Sequence, residues 1–143
     1  GAERHFDREG VSAPLNVRFQ KIDQAIAMAA MYMAKNVSVQ AIVALTESGS
    51  TAQWLSRVQS SVPIFALSPN VASRRRMAMY RDVYPVAHQP QGNDLNLIVE
   101  ELLKLLKNRG LIKAGDRVIV TMGDKTGNQG GTNALRFVEL GPD

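Results

Sequence analysis

Four hydroxyl side chains lie within six consecutive residues of this chain, grouped around one glycine. They belong to Thr46, Ser48, Ser50 and Thr51, and Gly49 between them lets the backbone approach a ligand closely. Because helical spacing resumes directly afterwards, the free N–H groups of a helix N-terminus are expected at the same point. Hydroxyls and amides together suit a phosphate. Ordinary N-capping by serine or threonine selects the same residue types, so the spacing alone leaves both interpretations open.

A second polar stretch, rich in glycine, runs from residue 123 to residue 133. It is long for a connection inside a small domain, and such connections often carry function. Its lysine could meet a phosphate and its amide side chains could hold sugar hydroxyls, with a flexible turn as the alternative interpretation. The candidate residues of this stretch are Gly123, Lys125, Thr126, Asn128 and Gly130.

Other kinds of chemistry find little support in the sequence. The chain has no cysteine, which excludes disulfides, thiolate metal sites and cysteine nucleophiles. His5 and His88 are far apart and in no metal-ligand spacing, and the acidic residues form no convincing acid–base pair. The run Arg74–Arg76 is typical of a solvated helix face, with a second anion contact or subunit salt bridges as alternatives. We therefore predict a phosphate-binding module without catalytic residues or a metal site.

Length and composition indicate one folded domain. The chain has 143 residues, of which 45% are hydrophobic and 21% charged, and a chain of this length can bury a core. A net charge of +4 is compatible with nucleic-acid binding but more typical of a normal protein surface. No apolar run approaches the roughly 20 residues of a transmembrane helix, and residues 1–10 do not resemble a signal peptide. We expect a cytoplasmic protein without membrane or nucleic-acid partners.

Helical spacing alternates with short apolar runs along most of the chain. Ile22, Ile26, Ala29 and Met33 recur at helical intervals and predict the buried stripe of a first helix, widened by neighbouring alanine and methionine residues. Trp54 lies at core spacing on a second helix. The predicted helices cover about 17–35, 54–58, 70–80 and 95–108, and the predicted strands about 39–45, 64–67, 83–86, 118–120 and 135–140.

This alternation predicts a three-layer α/β/α domain with a five-stranded mixed sheet. Four strands are expected to be parallel, with right-handed crossovers, and the last to run antiparallel beside the fourth. Pro85 cannot donate to a ladder, so the third strand is placed at the sheet edge. Ligands bind beyond the carboxyl ends of such strands, where the strand order reverses. If the first and fourth strands are adjacent, the two polar stretches flank one crevice.

The run Ala-Ile-Val-Ala-Leu-Thr-Glu-Ser-Gly-Ser-Thr-Ala, residues 41–52, resembles a segment of the pyruvate kinase C-terminal domain. The resemblance extends in order over about residues 17–140 and is greatest for the bacterial enzymes activated by sugar monophosphates or AMP. The other matching segments are Ser56-Arg57, Val62-Pro63-Ile64-Phe65-Ala66-Leu67-Ser68, Tyr80-Arg81-Asp82-Val83-Tyr84-Pro85-Val86, Gly115-Asp116-Arg117-Val118-Ile119-Val120-Thr121-Met122-Gly123-Asp124 and Gly130-Gly131-Thr132-Asn133.

The resemblance implies a regulatory rather than a catalytic unit. Pyruvate kinases transfer a phosphoryl group from phosphoenolpyruvate to ADP with Mg²⁺ and K⁺, using residues of a TIM barrel that has no counterpart in this sequence. Residues 1–16 are accordingly expected to be a lead-in or linker from that barrel, and residues 17–143 to be the regulatory domain. No cofactor is expected in this domain, and the polypeptide alone is predicted to lack kinase activity.

The resemblance also assigns roles to the two polar stretches. The effector phosphate would bind the stretch of Thr46, Ser48, Gly49, Ser50 and Thr51, and the loop around Gly123–Thr132 would close over a phosphorylated sugar or AMP. Other implied partners are the chain's own catalytic barrel and further copies, in a homotetramer. Alternatives are an assembly module without effector binding, a phosphosugar-binding domain of another family, and a nucleic-acid binder.

Overall fold

Helices and strands alternate through residues 15–58, 61–123 and 131–142, which the computed structural model describes. The helices are α1 (Leu15–Asn36), α2 (Ser50–Arg57), α3 (Val71–Met77) and α4 (Leu95–Asn108), and the strands are β1 (Ala41–Leu45), β2 (Ile64–Ser68), β3 (Val83–Ala87), β4 (Arg117–Met122) and β5 (Ala134–Glu139). The largest boundary difference from the prediction is at the start of α2, four residues earlier than predicted, and α3 ends three residues earlier than predicted. There the chain continues past Met77 in hydrogen bonds of i to i+3 type, from the N–H of Met79 to Arg76 and of Tyr80 to Met77.

The strands form one sheet in the order β3-β2-β1-β4-β5. Strands β1 to β4 are parallel, and β5 pairs antiparallel with β4. This confirms the predicted mixed sheet, including the edge position of β3. Pro85 is tolerated there because a residue without an N–H can sit where no further strand needs a donor.

Each face of the sheet packs against its own hydrophobic core. On one face, α4 buries Ile98, Val99, Leu102, Leu103 and Leu106 against alternate residues of the strands. The other face is covered by α1, α2 and the end of α3. Burial of one large aliphatic side chain stabilises a fold by about 1.5–3 kcal/mol, so these layers hold the sheet and its loops in place.

The buried face of α1 differs from the predicted stripe. Ala27, Ala30 and Met31 are buried against the sheet, whereas Ile22 and Met28 lie exposed on the opposite side. The helix carries apolar residues around most of its circumference, so their spacing alone could not select the face that packs. The prediction of Ile22 as a core residue was therefore wrong.

The strand order reverses at the neighbouring strands β1 and β4, and in α/β sheets a ligand crevice lies beyond the carboxyl ends of such strands. From β1 the chain moves to β2 and β3 on one side, and it then returns to β4 on the other side of β1. The carboxyl ends of both strands lie at the same sheet edge, where β1 leads to Thr46 and β4 leads to Gly123. These strands are adjacent, which meets the condition under which the two polar stretches flank one crevice. Within the described residues, no helix has the length and apolar character needed to cross a membrane.

Candidate functional site

The loop after β1 owes its shape to Gly49. This residue has φ +88°, in the left-handed region that glycine adopts at little cost. A Cβ atom at Gly49 would lie 2.9 Å from Cγ of the fully buried Met77. The loop therefore rests on the end of α3, and both the backbone angle and the space require a glycine.

Two hydroxyls fold this loop back on itself. The N–H of Gly49 donates to Oγ1 of Thr46 at 3.0 Å, and the N–H of Ser50 donates to Oγ of Ser48 at 3.2 Å. Gly49 occupies the N-cap of α2 without any side-chain cap hydrogen bond, so ordinary capping does not account for the cluster. Since both oxygens act as acceptors here, their O–H groups stay available to donate.

The amides that follow are those of the first turn of α2. The N–H of Gln53 donates to the carbonyl of Gly49 at 2.9 Å and begins the helical ladder. None of the described residues accepts from the N–H of Thr51 or Ala52. Free amides at a helix N-terminus attract anions, because the helix dipole adds to their own polarity.

The other two hydroxyls point into the protein. The hydroxyl of Thr51 is fully buried and donates to Oγ1 of Thr132 at 2.5 Å. The Ser50 side chain lies close enough to the Asp23 carboxyl to lower its pKa. The Thr51 hydroxyl therefore fixes the loop to its surroundings, and the Ser50 side chain lies near a buried carboxylate.

Asp23 is a buried carboxylate of α1 that sequence reasoning did not find. Its side chain accepts from the N–H of Thr132 at 2.7 Å. Burial raises the pKa of Asp23, and the hydrogen bond from Thr132 and the nearby Ser50 side chain oppose that rise. Asp23 stands four and seven residues before the buried Ala27 and Ala30 and thus shares their helix face, but the sequence did not single out that face because α1 is apolar around most of its circumference.

The arginine run is more than a solvated face. Arg74 donates to the carbonyl of Ser68 at 2.8 Å, at the carboxyl end of β2. Arg76 donates to the carbonyl of Ser48 at 3.0 Å while its residue remains exposed. The permanent charge of Arg76 thus lies beside the hydroxyl-rich loop, in agreement with the alternative of a second anion contact.

Of the second loop, the described residues include its two ends. A Cβ atom at Gly123 would lie only 2.0 Å from the carbonyl oxygen of Gly131, so the ends approach closely. The N–H of Asn133 donates to the carbonyl of Met122 at 3.0 Å below them. The other candidates, Lys125, Thr126, Asn128 and Gly130, lie outside the described residues.

Two further predictions concern aromatic side chains. Trp54 packs against the core on the α1 side of the sheet, as predicted, and the Arg57 guanidinium stacks 4.9 Å from its ring. His88 follows β3, and burial lowers its pKa while Glu101 opposes the change. His5 lies outside the described residues.

Comparison with known proteins agrees with this architecture. Residues 24–138 match the family described as pyruvate kinase, alpha/beta domain. Pyruvate kinase II of Salmonella typhimurium is 42% identical over 127 residues, covering 88% of this chain and 26% of that protein. A pyruvate kinase of Buchnera aphidicola is 39% identical over 127 residues, with 88% and 26% covered. For that of Haemophilus influenzae the identity is 36% over 123 residues, with 85% and 25% covered.

The aligned region has a similar length in the three relatives, 123 to 127 residues. The chain spans about a quarter of the length of these relatives. The matched region includes every strand of the sheet and both loops at its carboxyl edge, although β5 is matched only as far as residue 138. The chain therefore belongs to the pyruvate kinase α/β-domain family.

Proposed function

We propose that this chain is the effector-binding and assembly domain of a pyruvate kinase, an enzyme that transfers a phosphoryl group from phosphoenolpyruvate to ADP. The effector is a phosphorylated sugar or AMP, bound by its phosphate at residues 46–51. The observation that carries the proposal is the convergence of the Ser48 hydroxyl, the first-turn amides of α2 and the Arg76 guanidinium at one loop. Neutral donors combined with one fixed positive charge are the usual partners of a phosphate monoester.

Within this proposal the hydroxyls divide into two roles. Ser48 is exposed and donates to the phosphate. Thr51 and Ala52 are buried, and their amides would complete the cradle when the phosphate binds. The Thr46 hydroxyl is mostly buried and can supply one more donor from below. The side chains of Ser50 and Thr51 contribute indirectly, since Thr51 holds the loop through Thr132 and Ser50 lies near the Asp23 carboxyl.

The second loop contributes the remaining contacts of the proposed effector site. Lys125, Thr126 and Asn128 are proposed to meet the sugar or nucleotide part, with Gly123 and Gly130 at the loop ends. This assignment rests on the family resemblance and on the position of Gly123 across the crevice from Thr46, at the ends of adjacent parallel strands.

Assembly with further copies is the second part of the proposal. The outward side of α1 exposes Ile22 by 43%, Met28 by 54% and Tyr32 by 72%, and β5 exposes Phe137 by 39%. Apolar side chains that recur along one side of a helix are typical of a surface that another protein covers. Since the same helix packs against the crevice by its other side, subunit association and effector binding share one element.

Regulation of the whole enzyme would then be a shift of population. An effector that binds one arrangement of domains more tightly favours that arrangement, and a coupling of about 1–3 kcal/mol changes affinity about 5- to 150-fold. Mg²⁺ and K⁺ would be bound by the catalytic barrel and not by this domain. The protein is proposed to act in the cytoplasm.

Calorimetric titration of the chain tests the proposal. The ligands are glucose 6-phosphate, ribose 5-phosphate, AMP and fructose 1,6-bisphosphate. We expect saturable binding of at least one monophosphate, weakened at least tenfold in Ser48→Ala and also weakened in Thr51→Ala. Ser38→Ala, an exposed serine near the opposite sheet edge, is the control and should bind as the parent does.

The result also separates the proposal from its main alternative. A chain that self-associates but binds none of these ligands would be an assembly module without an effector. Binding that survives both Ser48→Ala and Thr51→Ala would place the anion elsewhere and contradict the proposal.

A further inference from the structure

A single buried carboxylate connects both walls of the crevice to helix α1. Asp23 is 6% exposed, its carboxylate accepts the backbone N–H of Thr132, and the nearby Ser50 side chain lowers its pKa. Ser50 begins α2 directly after the loop that follows β1. Thr132 lies two residues before β5, on the chain that leaves the second loop.

Thr132 joins Asp23 to the start of α2. Thr51, the neighbour of Ser50, donates its hydroxyl to Oγ1 of Thr132. The result is a chain of hydrogen bonds from α1 through the segment before β5 to α2, with sequence separations of 109 and 81 residues for its two bonds. No local turn requires these bonds, because their members come from distant parts of the chain.

These hydrogen bonds lie at the carboxyl end of the core between α1 and the sheet, which is otherwise apolar. Thr121 is fully buried near the end of β4 and, by strand alternation, faces the same side as Ile119, which packs in the core beneath α1. Within the described part of the chain, its hydroxyl has no hydrogen-bond partner. Polar groups therefore concentrate at the carboxyl end of this core, although burying each of them is unfavourable.

We infer that Asp23 is a positioning residue for the anion site: through Thr132 it holds the segment before β5 and the start of α2 together and joins both to helix α1. The carboxylate does not contact the anion in this arrangement. It acts through Thr132, whose hydroxyl accepts from Thr51 in the first turn of α2. The inference rests on the proposed effector site for its binding consequence, but its structural consequence stands independently.

The charge and the hydrogen bonds of Asp23 have opposite effects on an anion. The hydrogen bonds hold the donors in place, whereas the negative charge repels a phosphate bound nearby. Asp23→Asn keeps an acceptor oxygen and removes the charge, and Asp23→Ala removes both. A residue needed only for packing would respond to the two substitutions in the same direction.

Amide hydrogen exchange of the full chain, followed by titration with ribose 5-phosphate, tests the inference. Without ligand, we expect the Thr132 amide to exchange about tenfold or more faster in Asp23→Ala, because a hydrogen bond to a charged acceptor is lost, and to stay near the parent rate in Asp23→Asn. With ligand, Asp23→Ala should bind about tenfold more weakly, and Asp23→Asn as tightly as the parent or more tightly. Protection of the α1 amides should rise on ligand binding in the parent and not in Asp23→Ala.

Asp116 supplies the matched control. It is a buried carboxylate that accepts a backbone N–H, from Lys113 at 3.0 Å, at the opposite edge of the sheet. In Asp116→Ala, we expect an unchanged affinity for ribose 5-phosphate. We also expect the Thr132 amide to exchange at the parent rate once both rates are expressed relative to the rate of global unfolding. If Asp23→Ala does not fold, Thr51→Ala and Asp23→Asn in a double-mutant cycle test the same chain of hydrogen bonds through the Thr132 amide.

The two failures are distinguishable. Faster exchange at Thr132 in Asp23→Ala, with no ligand binding in the parent, would support the positioning role and contradict the effector site. Unchanged exchange at Thr132 in Asp23→Ala would overturn the inference, whatever the ligand does. Equal loss of affinity in Asp23→Asn and Asp23→Ala would overturn it as well, since the retained acceptor would then have no effect.

Discussion

The carboxyl and amino edges of the sheet, where the parallel strands end and begin, hold their loops by different contacts. Each has a glycine at φ +88°, Gly49 at the carboxyl edge and Gly115 at the amino edge, and each has a buried aspartate that accepts a backbone amide. At the amino edge, Asp116 holds the N–H of Lys113, three residues away, within its own turn. At the carboxyl edge, Asp23 holds an amide 109 residues away.

This difference distinguishes the ordinary turn at Gly115 from the loop of the proposed phosphate site. The amino edge needs its residues only to reverse the chain, and a Cβ atom at Gly115 would meet nothing within 4 Å. At the carboxyl edge, Gly49 is packed on Met77, and the hydroxyls of Thr51 and Thr132, 81 residues apart in the sequence, are joined by a hydrogen bond. Long-range polar contacts with little free space are the arrangement expected of the proposed phosphate site, whose backbone donors must be held in place before a ligand binds.

The largest expected effect compares the two glycines. Gly49→Ala combines left-handed backbone strain with contact against Met77, for a loss of about 2–4 kcal/mol in the free energy of unfolding. Gly115→Ala carries the strain alone, about 1–2 kcal/mol. Denaturant unfolding measures both. Equal losses would show that the packing of the carboxyl-edge loop on α3 adds nothing.

The second comparison is between neighbouring arginines. Arg76→Gln removes the charge beside Ser48 and should weaken ribose 5-phosphate binding about tenfold, as expected for one charge-assisted contact. Arg75→Gln changes the net charge equally on the same helix and should weaken binding at most slightly. Calorimetric titration at one salt concentration distinguishes them. Equal effects would reduce the role of Arg76 to general electrostatics.

The third prediction concerns the outward side of α1. Met28→Glu should weaken self-association about tenfold in sedimentation experiments, because it introduces a charge into an apolar contact surface. Its effect on stability should remain within about 0.5 kcal/mol, since the side chain is exposed. Met79, which is 86% exposed on the turn after α3, provides the control substitution Met79→Glu. If the chain does not self-associate at all, the proposed assembly surface is wrong.

The smallest expected effect is a pH dependence at Asp23. Burial holds the pKa of this carboxyl above 3.8 in the folded protein, so the folded state binds its proton more tightly than the unfolded state does. The stabilisation is therefore complete below that ordinary value and is lost as pH rises through the raised pKa. Asp23→Asn should gain stability relative to the parent over this interval and keep the gain at neutral pH. Thermal unfolding across the interval measures it, and the opposite slope would contradict the burial argument.

The sequence predicted the fold more fully than the site. The mixed sheet, the antiparallel fifth strand and the edge position of the third strand followed from the alternation of elements and from Pro85, whereas the adjacency of the first and fourth strands did not. The face of α1 did not follow, since Ile22 and Met28 are as apolar as the residues that pack. The order of residue types along the chain could place Thr46, Ser48, Ser50 and Thr51 at the end of a strand, but it could not show which hydroxyls face inward.

Asp23 shows why the remainder was not predictable. Ser50 and Thr132 become its neighbours only through the adjacency of β1 and β4 and the packing of α1 across them. A lone carboxylate on an alanine-rich helix face is compatible with a solvated position until that packing is known. The same holds for Arg76, whose contact with Ser48 depends on where α3 ends.

The central claim is that the carboxyl edge binds a phosphate and the amino edge does not. Amide chemical shifts of the labelled chain, followed during titration with ribose 5-phosphate, test it residue by residue. The account predicts saturable changes at Ser48, Gly49, Thr51 and Ala52, and none at Lys113 or Gly115. Changes spread equally over both edges, or absent from Thr51 and Ala52 while others saturate, would contradict it.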